Sequence, residues 1–180
     1  MDRDGTINFD YGYVHNIKKW KLIPKTINAL KILQNEGFLL IIITGQSGIN
    51  RGFYSMKDFK KLNSHMLNSF SNKGIKIHKV YFCQHTLENQ CKCKKPSIYH
   101  FNKAKKEFDI DLKQSYMVGD KTSDIKAGND AGCKTILVKT GKKGKDEEYI
   151  IKPDSIVNDL YESAKLISKN NIKRIKVWNV

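Results

Sequence analysis

Apolar residues recur at helical spacing in several stretches of the chain and run without interruption in others. After Pro24, Ile27, Leu30 and Leu33 fall on one helical face, and Gly37 closes the segment. Ser55 and Asp58 form a capping-box start for a second helix, whose stripe is Phe59, Leu62, Met66 and Phe70 and whose end lies near Gly74. A third helix carries Ile98, Phe101, Ala104 and Phe108. A fourth covers residues 122–131 and ends at Gly132, and Asn158 is expected to cap a last one through Ile167. Between these lie Phe38–Ile43, Ile77–Phe82, Tyr116–Val118 and Thr135–Val138, which read as strands. The first is apolar throughout, as a strand buried on both faces should be.

Strands alternating with helices predict an α/β fold, with a parallel sheet covered on both faces and ligands beyond the carboxyl ends of its strands. Residues 1–169 are expected to form a single domain. The tail 170–180 alternates weakly and is read as an edge strand or a trimmed continuation. Gly141–Glu148, charged and glycine-containing, is predicted to be a mobile loop. No internal repeat or low-complexity linker interrupts the pattern.

Charge changes this picture little. The net charge of +15 invites a nucleic-acid partner, but arginine occurs only at positions 3, 51 and 174 and the lysines are scattered. A lysine-rich base composition accounts for the excess, so no nucleic-acid partner is expected. No stretch approaches the ~18 apolar residues of a membrane span, and Met1 leads directly into charge, so a soluble, cytoplasmic, monomeric protein is expected.

The candidate chemistry falls where strands end. Asp2 and Asp4, in Met1-Asp2-Arg3-Asp4-Gly5-Thr6, suit metal-assisted phosphoryl transfer: one carboxylate attacks phosphorus and the other protonates the leaving alcohol. Thr44 follows the first strand and could donate its hydroxyl to a phosphoryl oxygen. Lys95 can neutralise charge building on the transferring group. Asp120 follows the third strand, so Asp2, Asp120 and the Asp4 carbonyl could hold Mg²⁺, a hard cation that prefers oxygen ligands. Of the four cysteines, Cys83, Cys91 and Cys93 lie within eleven residues and, with His85, form a Cys-x-His then Cys-x-Cys set. Three thiolates and one imidazole would close a structural Zn²⁺ site. Cys133 reads as a small core residue, and histidines 15, 65, 78 and 100 read as surface or satisfied side chains.

Together these motifs resemble the haloacid-dehalogenase-superfamily phosphatases, specifically the D-glycero-D-manno-heptose 1,7-bisphosphate 7-phosphatase and histidinol-phosphatase group. The resemblance covers roughly residues 1–141. It is carried by Asp2-Arg3-Asp4-Gly5-Thr6-Ile7-Asn8, Gly12-Tyr13-Val14, Thr44-Gly45-Gln46-Ser47-Gly48-Ile49 with Arg51-Gly52, Cys91-Lys92-Cys93-Lys94-Lys95-Pro96, and Val118-Gly119-Asp120-Lys121. It implies a capless, three-layer Rossmann-like fold. It also implies Asp2 as nucleophile, Asp4 as general acid and base, Thr44 and Lys95 on the phosphoryl group, and Mg²⁺ on Asp2, Asp4 and Asp120. Substrate contacts are implied for Asp10, Tyr11, Gly12, Tyr13, Gly45, Gln46, Ser47, Lys94 and Lys121, with Asp124 orienting from behind, and the zinc set is a family feature. The implied substrate is a small sugar bisphosphate, first of all heptose 1,7-bisphosphate at its 7-phosphate, used in surface-polysaccharide synthesis. Histidinol phosphate is a second reading, a catalytically inactive zinc-stabilised protein a third, and a nucleic-acid 3′-phosphatase a fourth.

The chain departs from the family pattern at Gly45, where the family carries asparagine, and at Lys94, where it carries arginine. Around Cys83 and His85 only the ligands are kept. Family members also carry a buried apolar strand that ends at the nucleophile, whereas here only Met1 precedes Asp2. Loss of a central strand would strip two neighbours of their partners, a cost comparable to the ~5–15 kcal/mol that holds a domain together. The expectation is that translation starts several codons upstream, with Met1 inside that strand.

Overall fold

The computed structural model describes residues 1–146 and 148–177. Among the described residues five strands and five α-helices follow one another, alternating up to β4: α1 (Thr26–Asn35), β1 (Leu40–Gly45), α2 (Met56–Ser71), β2 (Ile77–Cys83), α3 (Tyr99–Phe108), β3 (Tyr116–Gly119), α4 (Thr122–Asp130), β4 (Lys134–Val138), β5 (Ser155–Val157) and α5 (Leu160–Val177). All strand pairs are parallel, in two groups, β1–β2 and β3–β4–β5.

Between the groups lie Met1 and Asp2. The Met1 amino group donates to the Ile41 carbonyl at 3.0 Å, the Ile43 amide donates to the Met1 carbonyl at 2.9 Å, and the Asp2 amide donates to the Val118 carbonyl at 2.9 Å. Two residues thus stand where a central strand would run. One core, on the face of α1, α2 and α5, joins Leu30, Leu33, Leu40, Met66, Phe70, Val118, Leu160 and Ile167. The other, under α3 and α4, joins Ile43, Tyr81, Phe101, Ala104, Met117, Ala127 and Cys133. This is the predicted three-layer arrangement, and Cys133 is the small core residue expected.

Most elements lie where the pattern put them, and the differences have local causes. The first strand begins two residues later than predicted, because Phe38 belongs to the cap of α1. Its amide donates to the Leu33 carbonyl while the Gly37 amide donates to Gln34, a helix-ending motif that Gly37 permits at φ +83°. The capping box of α2 forms as expected between Ser55 and Asp58. The last helix is capped by Asp159, whose carboxylate accepts the Glu162 amide at 2.8 Å; Asn158 instead binds the Glu162 side chain.

That helix also runs past Ile167 to Val177, so residues 170–177 are neither an edge strand nor a separate tail, and 178–180 lie outside the described residues. The extension is tied to α1, because Ser168 and Asn171 both donate to the Glu36 carboxylate. His100 is not at the surface or satisfied. It is 7 % exposed, stacked on Tyr81, and neither ring nitrogen has a partner, so burial pushes its pKa down to about 4 and the ring is neutral. Among the described residues no helix is long and apolar enough to cross a membrane.

Candidate active site

Every predicted catalytic group stands at the carboxyl end of the sheet. Asp2 lies between β1 and β3 with its amide on the Val118 carbonyl, Thr44 is the penultimate residue of β1, and Asp120 follows β3. Lys95 enters from the loop before α3. All four are buried, at 3 %, 2 %, 0 % and 9 % exposure respectively. Burying charge without partners is costly, so the contacts are telling. The Lys95 ammonium donates to Asp2 Oδ1 at 2.9 Å, to the Ile43 carbonyl at 2.9 Å and to Asp124 Oδ1. The other Asp124 oxygen accepts the Lys121 amide at 3.1 Å, which leaves this carboxylate fully engaged and places it behind Lys95.

Asp2, Asp120 and Asp124 each offer a carboxylate oxygen within 4.8 Å of the others. Burial raises the Asp2 carboxyl, but Lys95 and Lys121 outweigh it and hold the group below its ordinary value. Asp120 has no such relief: burial, then Asp2 and Asp124, pushes it up to about 8. Its Oδ1 is buried without a hydrogen-bond partner. An orphan oxygen beside an ionised carboxylate is the donor set that a hard divalent cation satisfies, so the residues fit Mg²⁺. Gly5, at φ +84°, packs on the Asp120 carboxylate, as does Gly141; a Cβ at either would collide with it.

Gly141 belongs to the segment predicted to be a mobile loop. The structure instead folds it over Asp120. The Lys142 amide donates to Asp120 Oδ2 at 2.7 Å, the Gly144 amide to the Asp120 carbonyl at 2.7 Å, and the Thr140 hydroxyl to the Gly5 carbonyl at 2.6 Å. Asp146 then caps α4 through the Thr122 amide and hydroxyl. Two backbone amides of the segment, those of Lys142 and Gly144, are thus taken up by Asp120, which charge composition alone conceals.

Asp4 sits higher, half-buried, and is held by three donors. Arg3 reaches it twice (3.1 and 2.8 Å), Asn8 donates at 2.9 Å and Gln46 at 3.0 Å. Gln46 is a hub: it also donates to the Thr44 hydroxyl at 2.9 Å and accepts from Tyr54 at 2.6 Å and Arg3 at 3.2 Å. Its amide is therefore spent on fixing Asp4 and Thr44. Arg3, Asn8 and Tyr54 were not singled out in the sequence. The one signal was that Arg3, a rare arginine, stands between the two aspartates.

Above these groups a cavity of about 670 Å³ is lined by Asp4, Asp10, Tyr11, Gly12, Tyr13, Gly45, Gln46, Ser47, Tyr54, Lys121 and Lys142. Eight of these were expected to touch substrate, and Tyr54 and Lys142 are additions. Lys94 is not among them; it is half-buried between Cys93 and Lys95. Lys121 lies 3.8 Å from Asp10. Tyr13 and Phe53 meet edge to face at 4.5 Å on the rim.

The predicted metal set also closes. Cys83, Cys91 and Cys93 have sulfurs 3.1–3.7 Å apart, and His85 Nδ1 lies 3.6 and 3.3 Å from Cys83 and Cys93. With Zn–S bonds of about 2.3 Å, a tetrahedron has S···S edges of about 3.8 Å. The cysteines form no disulfide. Four donors thus gather at the spacing one tetrahedral ion requires, directly ahead of Lys95 in the chain.

Residues 92–163 match the HAD-hydrolase-like family. A D-glycero-beta-D-manno-heptose-1,7-bisphosphate 7-phosphatase of Haemophilus ducreyi is 42% identical over 170 residues, covering 90% of this chain and 93% of that protein. A D-glycero-alpha-D-manno-heptose-1,7-bisphosphate 7-phosphatase of Campylobacter jejuni is 44% identical over 147 residues, 81% of this chain and 84% of that one. Among solved structures, a D,D-heptose 1,7-bisphosphate phosphatase from B. bronchiseptica, complexed with magnesium and phosphate, superposes with a TM-score of 0.86 at 26% identity. It covers 94% of this chain and 96% of that chain.

Proposed function

This chain belongs to the family of D-glycero-D-manno-heptose-1,7-bisphosphate 7-phosphatases among the haloacid-dehalogenase-like hydrolases, and on that premise we propose that it removes the 7-phosphate of heptose 1,7-bisphosphate through Asp2. The observation that carries this is the buried pairing of Asp2 with Lys95 beside the orphan oxygen of Asp120. Lys95 keeps Asp2 ionised, so its free electron pair can attack phosphorus. The O–P bond to the sugar breaks as the Asp2–phosphorus bond forms, and Asp4 gives its proton to the departing sugar oxygen. Asp4 then takes a proton from the water that attacks the aspartyl-phosphate, which releases inorganic phosphate, frees the Asp2 carboxylate and returns Asp4 to its protonated form.

Thr44, its oxygen already accepting from Gln46, has its proton free for a phosphoryl oxygen. Mg²⁺ held by Asp2, Asp120 and the Asp4 carbonyl would supply charge neutralisation for the transferring group. Lys121 and Lys142 are the cations lining the cavity for the second phosphate. The test is Mg²⁺-dependent phosphate release from both anomers of heptose 1,7-bisphosphate, fructose 1,6-bisphosphate and histidinol phosphate. Preference for a heptose anomer supports the reading. Preference for histidinol phosphate, or no turnover by folded protein, overturns it.

The crowding of Asp120 predicts an unusual pH response. Its folded pKa, near 8, exceeds the unfolded value, so the folded state binds the extra proton and the stability this gives is lost as pH rises towards 8. In chelated, zinc-loaded protein the melting temperature is expected to fall between pH 6.5 and 8.5, and excess Mg²⁺ should abolish the slope. A flat profile without Mg²⁺ would contradict the assignment of Asp120.

The Cys83, His85, Cys91 and Cys93 set is proposed to hold a structural zinc that pins the loop leading to Lys95. Burial, first of all, pushes the Cys83 and Cys93 thiols above their ordinary range while Cys91 is held below it, so a bound cation would be what holds all three as thiolates. Purified protein should contain one zinc per chain by atomic emission. Cys91→Ser should lose it and melt about 10 °C lower or more.

A further inference from the structure

Tyr54 lines the cavity, yet its hydroxyl is spent inside the wall. The residue is 6 % exposed and its ring stacks on His15 at 4.8 Å, with Gly48 packed so closely that a Cβ there would collide with it. The hydroxyl donates to Gln46 Oε1 at 2.6 Å, the shortest bond of that side chain. The same oxygen meets Arg3 Nη2 at 3.2 Å. That nitrogen has two protons and faces three acceptors: Asp4 Oδ2 at 2.8 Å, the Val14 carbonyl at 2.9 Å and Gln46. Two protons cannot serve three acceptors fully, and the longest contact is the weakest. Tyr54 is therefore the main hold on Gln46 Oε1. Holding that oxygen decides where the two amide protons go, which is to Asp4 Oδ2 at 3.0 Å and Thr44 Oγ1 at 2.9 Å. Burial pushes the Tyr54 phenol up to about 12, so it stays a donor at neutral pH.

Resting on the phosphatase function proposed for this site, we propose that Tyr54 is a positioning residue. Acting through Gln46, its hydroxyl steadies Asp4 and keeps the Thr44 proton turned towards the phosphoryl group, without touching substrate itself. Remove the phenol oxygen, and Gln46 Oε1 is left with the weakest share of one Arg3 nitrogen. The amide can then turn, and two things change. Asp4 loses a fixed donor, and an acid displaced by a fraction of an ångström transfers its proton less well. Thr44, no longer obliged to accept from Gln46, can turn its own proton inward to the amide oxygen. Both faults act on the transition state. Neither touches Lys121 or Lys142, so the loss falls on kcat and not on KM.

Tyr54→Phe keeps the ring and deletes the bond, and is expected to lower kcat about tenfold while KM moves by less than about twofold. Gln46→Glu has nearly the same shape and keeps the bonds from Tyr54 and Arg3, but sets an acceptor against Asp4 and Thr44. It should lower kcat about 100-fold, and it carries the test if Tyr54→Phe does not fold. In a Gln46→Met background the relay is already cut, so adding Tyr54→Phe should cost less than about twofold more. One readout needs no substrate. The Gln46 side-chain amide protons, assigned by their loss in Gln46→Glu, should exchange with solvent about tenfold faster in Tyr54→Phe. Unchanged kcat and unchanged amide exchange in Tyr54→Phe would overturn the proposal. So would a loss that appears in KM or persists in the Gln46→Met background, since Tyr54 would then touch substrate directly. A folded parent that releases no phosphate would instead sink the proposed function itself, which tells the two failures apart.

Discussion

The Asp2→Asn chain is expected to release phosphate about 10⁴-fold or more slowly than the parent, with substrate still bound. The amide has the shape of the carboxylate but no electron pair able to form the aspartyl-phosphate bond. Its oxygen can still accept from Lys95, so the contact at 2.9 Å survives. The fold should survive too, because the substitution removes one of three acidic groups crowded within 4.8 Å. Relief of that crowding lowers the pKa of Asp120, and the variant should melt no lower than the parent at pH 8. Circular dichroism and initial rates check both halves. Turnover retained within tenfold would mean that another group attacks phosphorus.

Much of this site was legible because its chemistry sits at chain positions that periodicity can find. Thr44 and Asp120 lie at strand ends, which follow from apolar runs such as Leu40–Ile43 and Tyr116–Val118, whereas Asp2 is read from its Asp-x-Asp-Gly-Thr motif. What was not legible depends on contacts between distant positions. Arg3 meets Gln46 across 43 residues, and nothing local to either announces the hub that fixes Asp4. The loop over Asp120 reads as solvated from its lysines, yet its backbone amides do the binding. β5 has three residues and an exposed centre, Ile156, too little for a period-two signal. The lysines and asparagines after Ile167 likewise hid the extension of α5, which Glu36 anchors from another helix.

Replacing Lys95 by methionine separates the two roles of the ion cluster. Methionine fills much of the same volume, so the loss is chiefly of charge. Burial works against the Lys95 ammonium, but Asp124 and Asp2 outweigh it and raise its pKa, so the native state holds it charged. Without it, Asp2 and Asp124 face each other at 3 % and 0 % exposure with no buried cation between them, and the Ile43 carbonyl loses its donor. Stranding buried charge in this way costs about 3–5 kcal/mol, or roughly 10 °C in melting temperature for a chain of this size.

The deficit should shrink as pH falls, because carboxylates whose folded pKa is raised gain stability when they take up protons. Turnover should fall about 10²–10³-fold further than instability explains, since the cation facing the transferring phosphoryl group is gone. The double variant Lys95→Met with Asp124→Asn decides between the roles. Removing the second carboxylate relieves the repulsion and should restore most of the melting temperature while leaving turnover as low as in the single variant. Recovery of both would show that Lys95 serves folding alone.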